Sequence, residues 1–329
     1  MKPSKFVLHS PRSITLEPIV TCLTPGFREV LAKTLYSAIS PGTELAAWNG
    51  LPPLRSGPQY PRVNGYCNVA VIIELGSSCE GYSIGDFILS FSCHCSHFII
   101  STENILCKID RGMSLPTSSL SYLFHLGYNS ILTANAPPGA SCAIVGLGAL
   151  GLTSACFAIN NGWSTLGISD QTPLSDLPSC LPLLDTITRA NITAHMQYDV
   201  VIYTSSSWSD WDLSLKLANQ RAKIIVLGFP GRTQPLSSLS SNPLRADQFY
   251  QKQLSIIATG LSPESDSPRA FNKFNEKSNL ARILSWLSSG ILNHRVLSAP
   301  IKPASQLPVL YHLLTHHRDS HTYILDWSL

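Results

Sequence analysis

Six residues, "GLGALG" at 146–151, constrain this chain more than any other stretch. They set Gly146, Gly148 and Gly151 directly after "SCAIV", an uninterrupted apolar run. A strand apolar on both faces belongs inside a parallel sheet covered on both sides. A helix is expected to follow, then a second strand, "STLGISD", ending on Asp170, nineteen residues beyond Gly151. Each glycine has its own duty in such a unit. The first permits a tight turn, the second lets the backbone approach a pyrophosphate, and the third lets helix and strand pack closely. The helix N-terminus then faces the negative charge. Gly146, Leu147, Gly148, Ala149, Leu150 and Gly151 are therefore expected to bind a dinucleotide, with Asp170 on its ribose. A glycine-rich packing turn is the alternative, but strand, spacing and acid agree on the cofactor loop.

The surrounding pattern extends this unit. "YDVVIYT", "AKIIVLG" and "LSIIATG" read as further strands separated by possible helices, the signature of a doubly wound α/β sheet. Thr204 and Gly228 close two of these strands and are counted as cofactor-binding. Residues 177–197 hold too many prolines for a regular helix. The first third is β instead. "REVLAKTLYSAIS" alternates Val30, Ala32, Thr34, Tyr36 and Ala38 on one face, and "NVAVIIELG", "GDFILSF" and "HFIIS" follow as short strands, which suggests a barrel-like domain. The tail offers two helices. The first sets Leu280, Ile283, Leu284, Leu287 and Ile291 at helical spacing; the second is "QLPVLYHLLTHH", before a closing strand in "HTYILDW".

At 329 residues two domains are expected. The formal net charge of +3, with no basic run, gives no reason to expect nucleic acid or an anionic membrane as partner. Residues 142–159 are apolar enough to imitate a membrane span, but the glycines favour a buried strand and helix. Nine cysteines, an odd number with none after Cys180, do not form a disulfide framework. The opening residues lack the apolar core of a signal peptide, so a cytoplasmic setting is expected.

With these parts in order, the chain resembles the medium-chain dehydrogenase/reductase superfamily, the zinc-type alcohol dehydrogenase-like proteins, over nearly its whole length. The resemblance is carried by "LYSAISPGTELAAWNG", "YPRVNGYCNVAVIIELG", "GYSIGDFILSF", "SLSYLFHLGYNSIL" and the C-terminal "ILSWLSSGIL" with "APIKPASQLPVLYHLL". "SAISPGTE" is similar to a branch related to bacteriochlorophyllide dehydrogenases and threonine dehydrogenase-like proteins. The resemblance implies a GroES-like β-barrel catalytic domain at 1–120, a Rossmann domain at 121–261 and a return to the catalytic domain at 262–329. It also implies a small-molecule substrate and a homodimer, joined through the "LSIIATG" edge.

Many members of that superfamily hold a catalytic zinc. The resemblance places its ligands at Ser40, Tyr66 and Tyr122, where hydroxyls stand instead of thiolate and imidazole. Catalytic zinc is therefore not expected, and without any Cys-x-x-Cys neither is a structural zinc lobe. The dense "SCHCSH" tempts a metal reading. In an extended strand Cys93, Cys95 and His97 share one face and His94 the other, but buried cysteine beside ordinary strand histidine explains it as well.

Hydride transfer between a nicotinamide and a carbonyl or alcohol of a bulky apolar metabolite remains feasible without zinc. Tyr66 is the expected donor to the developing oxyanion or, equally, a packed aromatic; Ser40 and Tyr122 join it as candidate catalytic residues. Trp48, Leu51, Leu54, Tyr60 and His125 are candidate pocket lining, and Glu44 is read as a solvated turn acid. Asp170, with no basic residue in the ten that follow, implies NAD(H) over NADP(H), the latter remaining possible. Enone or enoyl reduction is the alternative activity. A catalytically inactive dinucleotide-binding sensor is the alternative of another class.

Overall fold

The computed structural model describes residues 2–51, 59–170, 177–229, 244, 246–260, 274–316 and 320–329. Its elements run β1 (Ser4–Ser10), β2 (Ser13–Pro18), β3 (Glu29–Ala38), α1 (Pro41–Trp48), β4 (Cys67–Leu75), β5 (Phe87–Ser90), β6 (His97–Ser101), β7 (Cys107–Ile109), α2 (Leu115–Ser118) and α3 (Ser121–Ala134). They continue β8 (Ser141–Val145), α4 (Ala149–Asn160), β9 (Ser164–Ile168), α5 (Leu177–Cys180), β10 (Asp185–Ile187), β11 (Tyr198–Tyr203), α6 (Trp208–Leu217), β12 (Ala218–Val226) and β13 (Ser255–Ala258). Last come α7 (Glu276–Ser288), β14 (Ile301–Pro303), α8 (Leu307–His316) and β15 (Ile324–Asp326). The fold is mixed α/β, a sheet domain together with a Rossmann-like parallel sheet, and it divides into two compact units.

The first unit comprises Met1–Tyr122 with Pro263–Leu329. Its main sheet has the order β14-β15-β3-β4-β5-β7, and β3 organises it. Along β3, Glu29–Lys33 pairs with β6 and Tyr36–Ala38 pairs with β15, so the last strand of the chain extends a sheet begun by the third. The expected alternation on β3 holds for Val30, Ala32 and Thr34, all buried. A register shift between Thr34 and Tyr36 then turns Ser37 inward and leaves Tyr36 half-buried. Ala38 is buried as expected, beside the buried Ser37, so both faces of β3 are covered past this β-bulge. One apolar core joins Phe6, Leu8, Ile39 and Trp48 to Tyr311, Leu325 and Trp327; a second joins Val30, Ala32, Ile72 and Ile88 to Cys95 and Phe98.

The second unit, Leu123–Ser262, holds a six-stranded sheet of order β10-β9-β8-β11-β12-β13, every pair parallel. Renumbered within the unit this is 3-2-1-4-5-6, the order of a dinucleotide-binding fold. The apolar run at 142–159 is β8 followed by α4. No helix among the described residues is long and apolar enough to cross a membrane.

Several sequence expectations need correction. Residues 177–197, expected to lack a regular helix, hold the four-residue α5 and also β10, the outer strand that completes the order. Three residues carry too little alternation to announce a strand; pairing to β9 makes it one. "SPGTELAAW" is not a turn but α1, opened by Pro41, whose fixed φ suits a first helical position. Ile291 lies past the end of α7 and is exposed, whereas Leu280, Ile283, Leu284 and Leu287 are buried.

Candidate functional site

The glycine loop of the second unit separates the three glycines physically. Gly146 has φ +100°, and a Cβ there would sit 2.8 Å from Thr204 Oγ1. A Cβ on Gly151 would sit 1.9 Å from the Gly146 carbonyl oxygen, inside any contact distance. Both are required by the chain's own packing. Gly148 is different: it caps α4, and nothing lies within 4 Å of where its Cβ would be. Space is thus left beside the first turn of α4, whose leading N–H groups have no intrahelical partner. That is a cradle fit for a pyrophosphate, and among the described residues no atom stands where a side chain at 148 would go.

Thr204 and Gly228 serve this loop indirectly. The Thr204 hydroxyl donates to the Val145 and Gly146 carbonyls at 3.2 and 2.8 Å, which pins the turn. A Cβ on Gly228 would sit 2.1 Å from the Ser205 carbonyl oxygen. Leu147 lies over Gly167 of β9, where a Cβ would meet it at 2.8 Å. Ala149 is buried and Leu150 half-buried.

Asp170 follows β9 by two residues and is not alone. The Arg189 backbone N–H donates to its Oδ1 at 2.7 Å, and the Arg189 Nη1 to its Oδ2 at 2.6 Å. These contacts hold the Asp170 carboxyl below the usual carboxylate range. The same guanidinium donates from Nε and Nη2 to Asp210 at 2.6 and 2.8 Å. The sequence therefore misled on one point: the acid has a basic neighbour after all. It lies nineteen residues downstream, brought back by β10.

A second cluster sits in the first unit. Ser40 is the N-cap of α1, yet its hydroxyl makes no capping bond. It hydrogen-bonds the Tyr66 phenol, and the Thr43 hydroxyl also meets that phenol. The capping duty passes to Glu44, whose Oε1 accepts the Ser40 backbone N–H at 2.6 Å. Tyr122 lies against Tyr66 edge to face at 5.5 Å, and against Phe91 at 4.8 Å. Burial, the dominant cause, pushes both phenols well above their ordinary pKa. Ser40, Tyr66 and Tyr122 are thus brought together, and the donor set they present is one of neutral hydroxyls. Three hydroxyls do not fit zinc, which selects thiolate, imidazole and carboxylate; a carboxylate stands beside them in Glu276, whose Oε1 accepts from the Tyr122 hydroxyl at 3.4 Å.

Behind this cluster stands a network that sequence reasoning missed. Glu44 is 1% exposed, not a solvated turn acid. Its Oε2 accepts from Tyr311 OH at 2.5 Å and lies 2.9 Å from His94 Nε2. His94 Nδ1 is 2.9 Å from Ser37 Oγ, which accepts from Trp327 Nε1 at 2.9 Å. With a single ring proton on Nε2 of His94, the hydrogens run one way: Trp327 to Ser37, Ser37 to His94, His94 to Glu44. Gly65 seals the arrangement. Its φ is +99°, and a Cβ there would lie 2.8 Å from the His94 ring. Tyr66 is thereby tied to His94 through the backbone beside it. Glu44 stands four residues after Ser40, one beyond the spacing of a capping box, so this reach back to the helix start has no standard sequence signal. Tyr311 and Trp327, from the far end of the chain, carried none.

The 93–97 stretch is not one extended strand: the His94 carbonyl accepts from Phe6 N, and Ser96 N donates to the Ser4 carbonyl, so it pairs with β1 before β6 begins. Cys95 lies in the apolar core and Cys93 packs on it. A hydrogen bond between the two thiols draws Cys93 down to about 7 and pushes Cys95 up. Among the described residues no three His, Cys, Asp or Glu side chains converge as a metal-ligand set. Trp48 is a core side chain, its ring 5.5 Å from that of Tyr311, and the Tyr60 hydroxyl donates to the Ala47 carbonyl at 2.5 Å. Leu51 is half-buried; Leu54 lies outside the described residues. His125 on α3 is fully buried, and burial pushes its pKa down to about 4.

No family model matches the chain. Its fold, however, is that of several solved dehydrogenases and reductases. Galactitol-1-phosphate dehydrogenase from Escherichia coli superposes with a TM-score of 0.80 at 14% identity, over 98% of this chain and 99% of that one. Acetophenone reductase from Geotrichum candidum, solved in complex with NAD, gives 0.79 at 16% identity over 98% and 97%. 2R,3R-butanediol dehydrogenase from Bacillus subtilis gives 0.78 at 12% identity over 99% of both chains.

Proposed function

We propose that this chain is a nicotinamide-dependent oxidoreductase of the medium-chain dehydrogenase/reductase kind. It interconverts a carbonyl and an alcohol on a small, bulky and mostly apolar metabolite, prefers NAD(H), and works without catalytic zinc. The observation that carries the reading is the 3-2-1-4-5-6 parallel sheet whose first strand ends in a loop with open space only at Gly148. The similar folds include a reductase of an aromatic ketone solved with NAD, which supports both the cofactor and the substrate class.

In this reading residues 121–261 bind the dinucleotide, while 1–120 and 262–329 carry the substrate. Gly146, Gly148 and Gly151 with the α4 N-terminus hold the pyrophosphate, and Asp170 accepts from the adenine ribose. The bound nicotinamide gives or takes the hydride. The chain's part is to manage the substrate oxygen. With Ser40 and Thr43 donating to the Tyr66 phenol oxygen, the phenol's own proton is left for the oxygen that becomes negative. Burial keeps that phenol protonated across the neutral range. Glu44 and His94 fix Ser40 and the Gly65–Tyr66 backbone, so the donor is held rather than recruited. Leu51 lines the apolar pocket, which Trp48 and Tyr60 back from the core. Nine unpaired thiols suit a reducing compartment, the cytoplasm. We place a homodimer contact on β13, the last strand of the parallel sheet.

The purified protein is expected to oxidise NADH against a panel of aryl and branched ketones, and to carry no stoichiometric zinc by elemental analysis. Oxidation only with enones would move the reaction to alkene reduction. Cofactor binding with no turnover on either panel would make the chain a sensor. About one zinc per chain, removed with loss of activity, would overturn the zinc-independent mechanism.

A further inference from the structure

The adenine-ribose subsite contains a charge arrangement that a lone acid after β9 does not explain. Arg189 stands between two carboxylates. Asp170 is half exposed, its side chain 49% accessible, whereas Asp210 is 4% accessible. Asp210 comes from the first turn of α6 and grips the guanidinium from the inside by both Nε and Nη2. Asp170 takes Nη1 and the Arg189 backbone N–H from the outside. A bidentate pair with a buried carboxylate is the strongest grip an arginine side chain accepts.

Two consequences follow. A guanidinium has five N–H donors, and three are committed to carboxylate oxygens, so one on Nη1 and one on Nη2 remain. The guanidinium cannot turn its Nε–Nη2 edge outward while Asp210 holds it. The charge also fails to balance. Two carboxylates against one guanidinium leave one net negative charge beside the position that receives the ribose. Arg189, the residue able to welcome a 2′-phosphate, is spent on the chain itself.

We propose that Asp210 is a specificity-determining residue: by holding Arg189 inward it keeps the ribose subsite net negative and so selects NAD(H) over NADP(H). It acts through Arg189 and touches no cofactor atom. This rests on the reading of the glycine loop and Asp170 as the cofactor site. Losing the Asp210 charge makes the cluster neutral and frees the Nε–Nη2 edge, the fork that matches a phosphate.

The test measures dissociation constants for NADH and NADPH, by nicotinamide fluorescence at one ionic strength, on wild type, Asp210→Asn and Arg189→Gln, with thermal unfolding of each. Asp210→Asn is expected to tighten NADPH about five- to tenfold and to move NADH less than about twofold, the size of one charge acting across a partly solvated gap. Arg189→Gln leaves two uncompensated carboxylates and is expected to widen the preference for NADH by a similar factor. If the NADH-to-NADPH ratio stays within about twofold of wild type in both variants, the proposal is overturned and the trio is structural. Should Asp210→Asn fail to fold, an unchanged ratio in Arg189→Gln overturns it alone. A wild type that binds NADPH tighter than NADH overturns the NAD(H) preference instead. The Asp210 proposal is judged separately, on whether the ratio moves.

Discussion

Tyr66 shows how much one side chain can be given to do by its surroundings. A phenol alone on a strand end is a packing residue. Here Ser40 and Thr43 meet its oxygen, the Tyr122 ring packs T-shaped against its own, and the Gly65 backbone rests on His94. Tyr66→Phe removes one hydroxyl and keeps the ring, so packing survives. Turnover is expected to fall about 10²-fold, the loss typical of one oxyanion donor, while the NADH dissociation constant stays within about twofold. Steady-state kinetics with a cofactor titration checks this; an unchanged turnover returns Tyr66 to packing. At this scale the sequence was informative about partners close in the chain and silent about distant ones. Ser40 and Tyr66 could be paired by resemblance. Glu44 could not be told from a solvated acid, because the residues that bury it, His94 and Tyr311, come from separate elements. Arg189 could not be paired with Asp170 for the same reason: sequence distance says nothing about a strand that folds back beside β9.

Among the elements, the β8–loop–α4 unit was the most legible, because steric demand and hydrophobic run coincide there. Its three glycines give a paired prediction. Gly148→Val places a side chain in open space, so the unfolding temperature should hold within a few degrees while dinucleotide binding is lost. Gly151→Ala drives a methyl group to 1.9 Å from the Gly146 carbonyl oxygen, and something must shift. That variant should lose stability by about 1–3 kcal/mol, as overpacked sites do, before any question of binding arises. Calorimetry with and without NADH separates the two. If Gly148→Val binds NADH normally, the loop is a packing turn and the cofactor reading falls. The elements that escaped the sequence were those whose identity is tertiary. β10 is three residues defined by its neighbour, α1 was masked by Pro41 and Gly42, and the alternation along β3 broke at a bulge that no residue type announces.

Across the whole chain, buried histidine ties both units to pH. In the first unit burial pushes His97 and His294 below their ordinary range; in the second it pushes His125 down to about 4. Between the ordinary value of 6.5 and about 4, unfolded chains carry a proton on His125 that the folded chain does not. Stability therefore rises with pH through that window and is lost as pH falls through it. For His125 alone the full loss is about 3 kcal/mol, reached near pH 4 and absent above pH 7. His97 and His294 add to it in the same direction. Below the histidine window the paired Asp86 and Asp170, held under their ordinary range, extend the loss further into acid. The unfolding temperature should thus fall steeply from about pH 6.5 to 5, before most carboxylates titrate. His125→Gln, which keeps a polar amide but takes up no proton, should flatten the part of that slope belonging to the second unit. Calorimetric scans of wild type and variant at half-unit pH steps decide it. Parallel curves would mean that His125 reaches a proton acceptor when the chain is folded, and that acid sensitivity arises elsewhere.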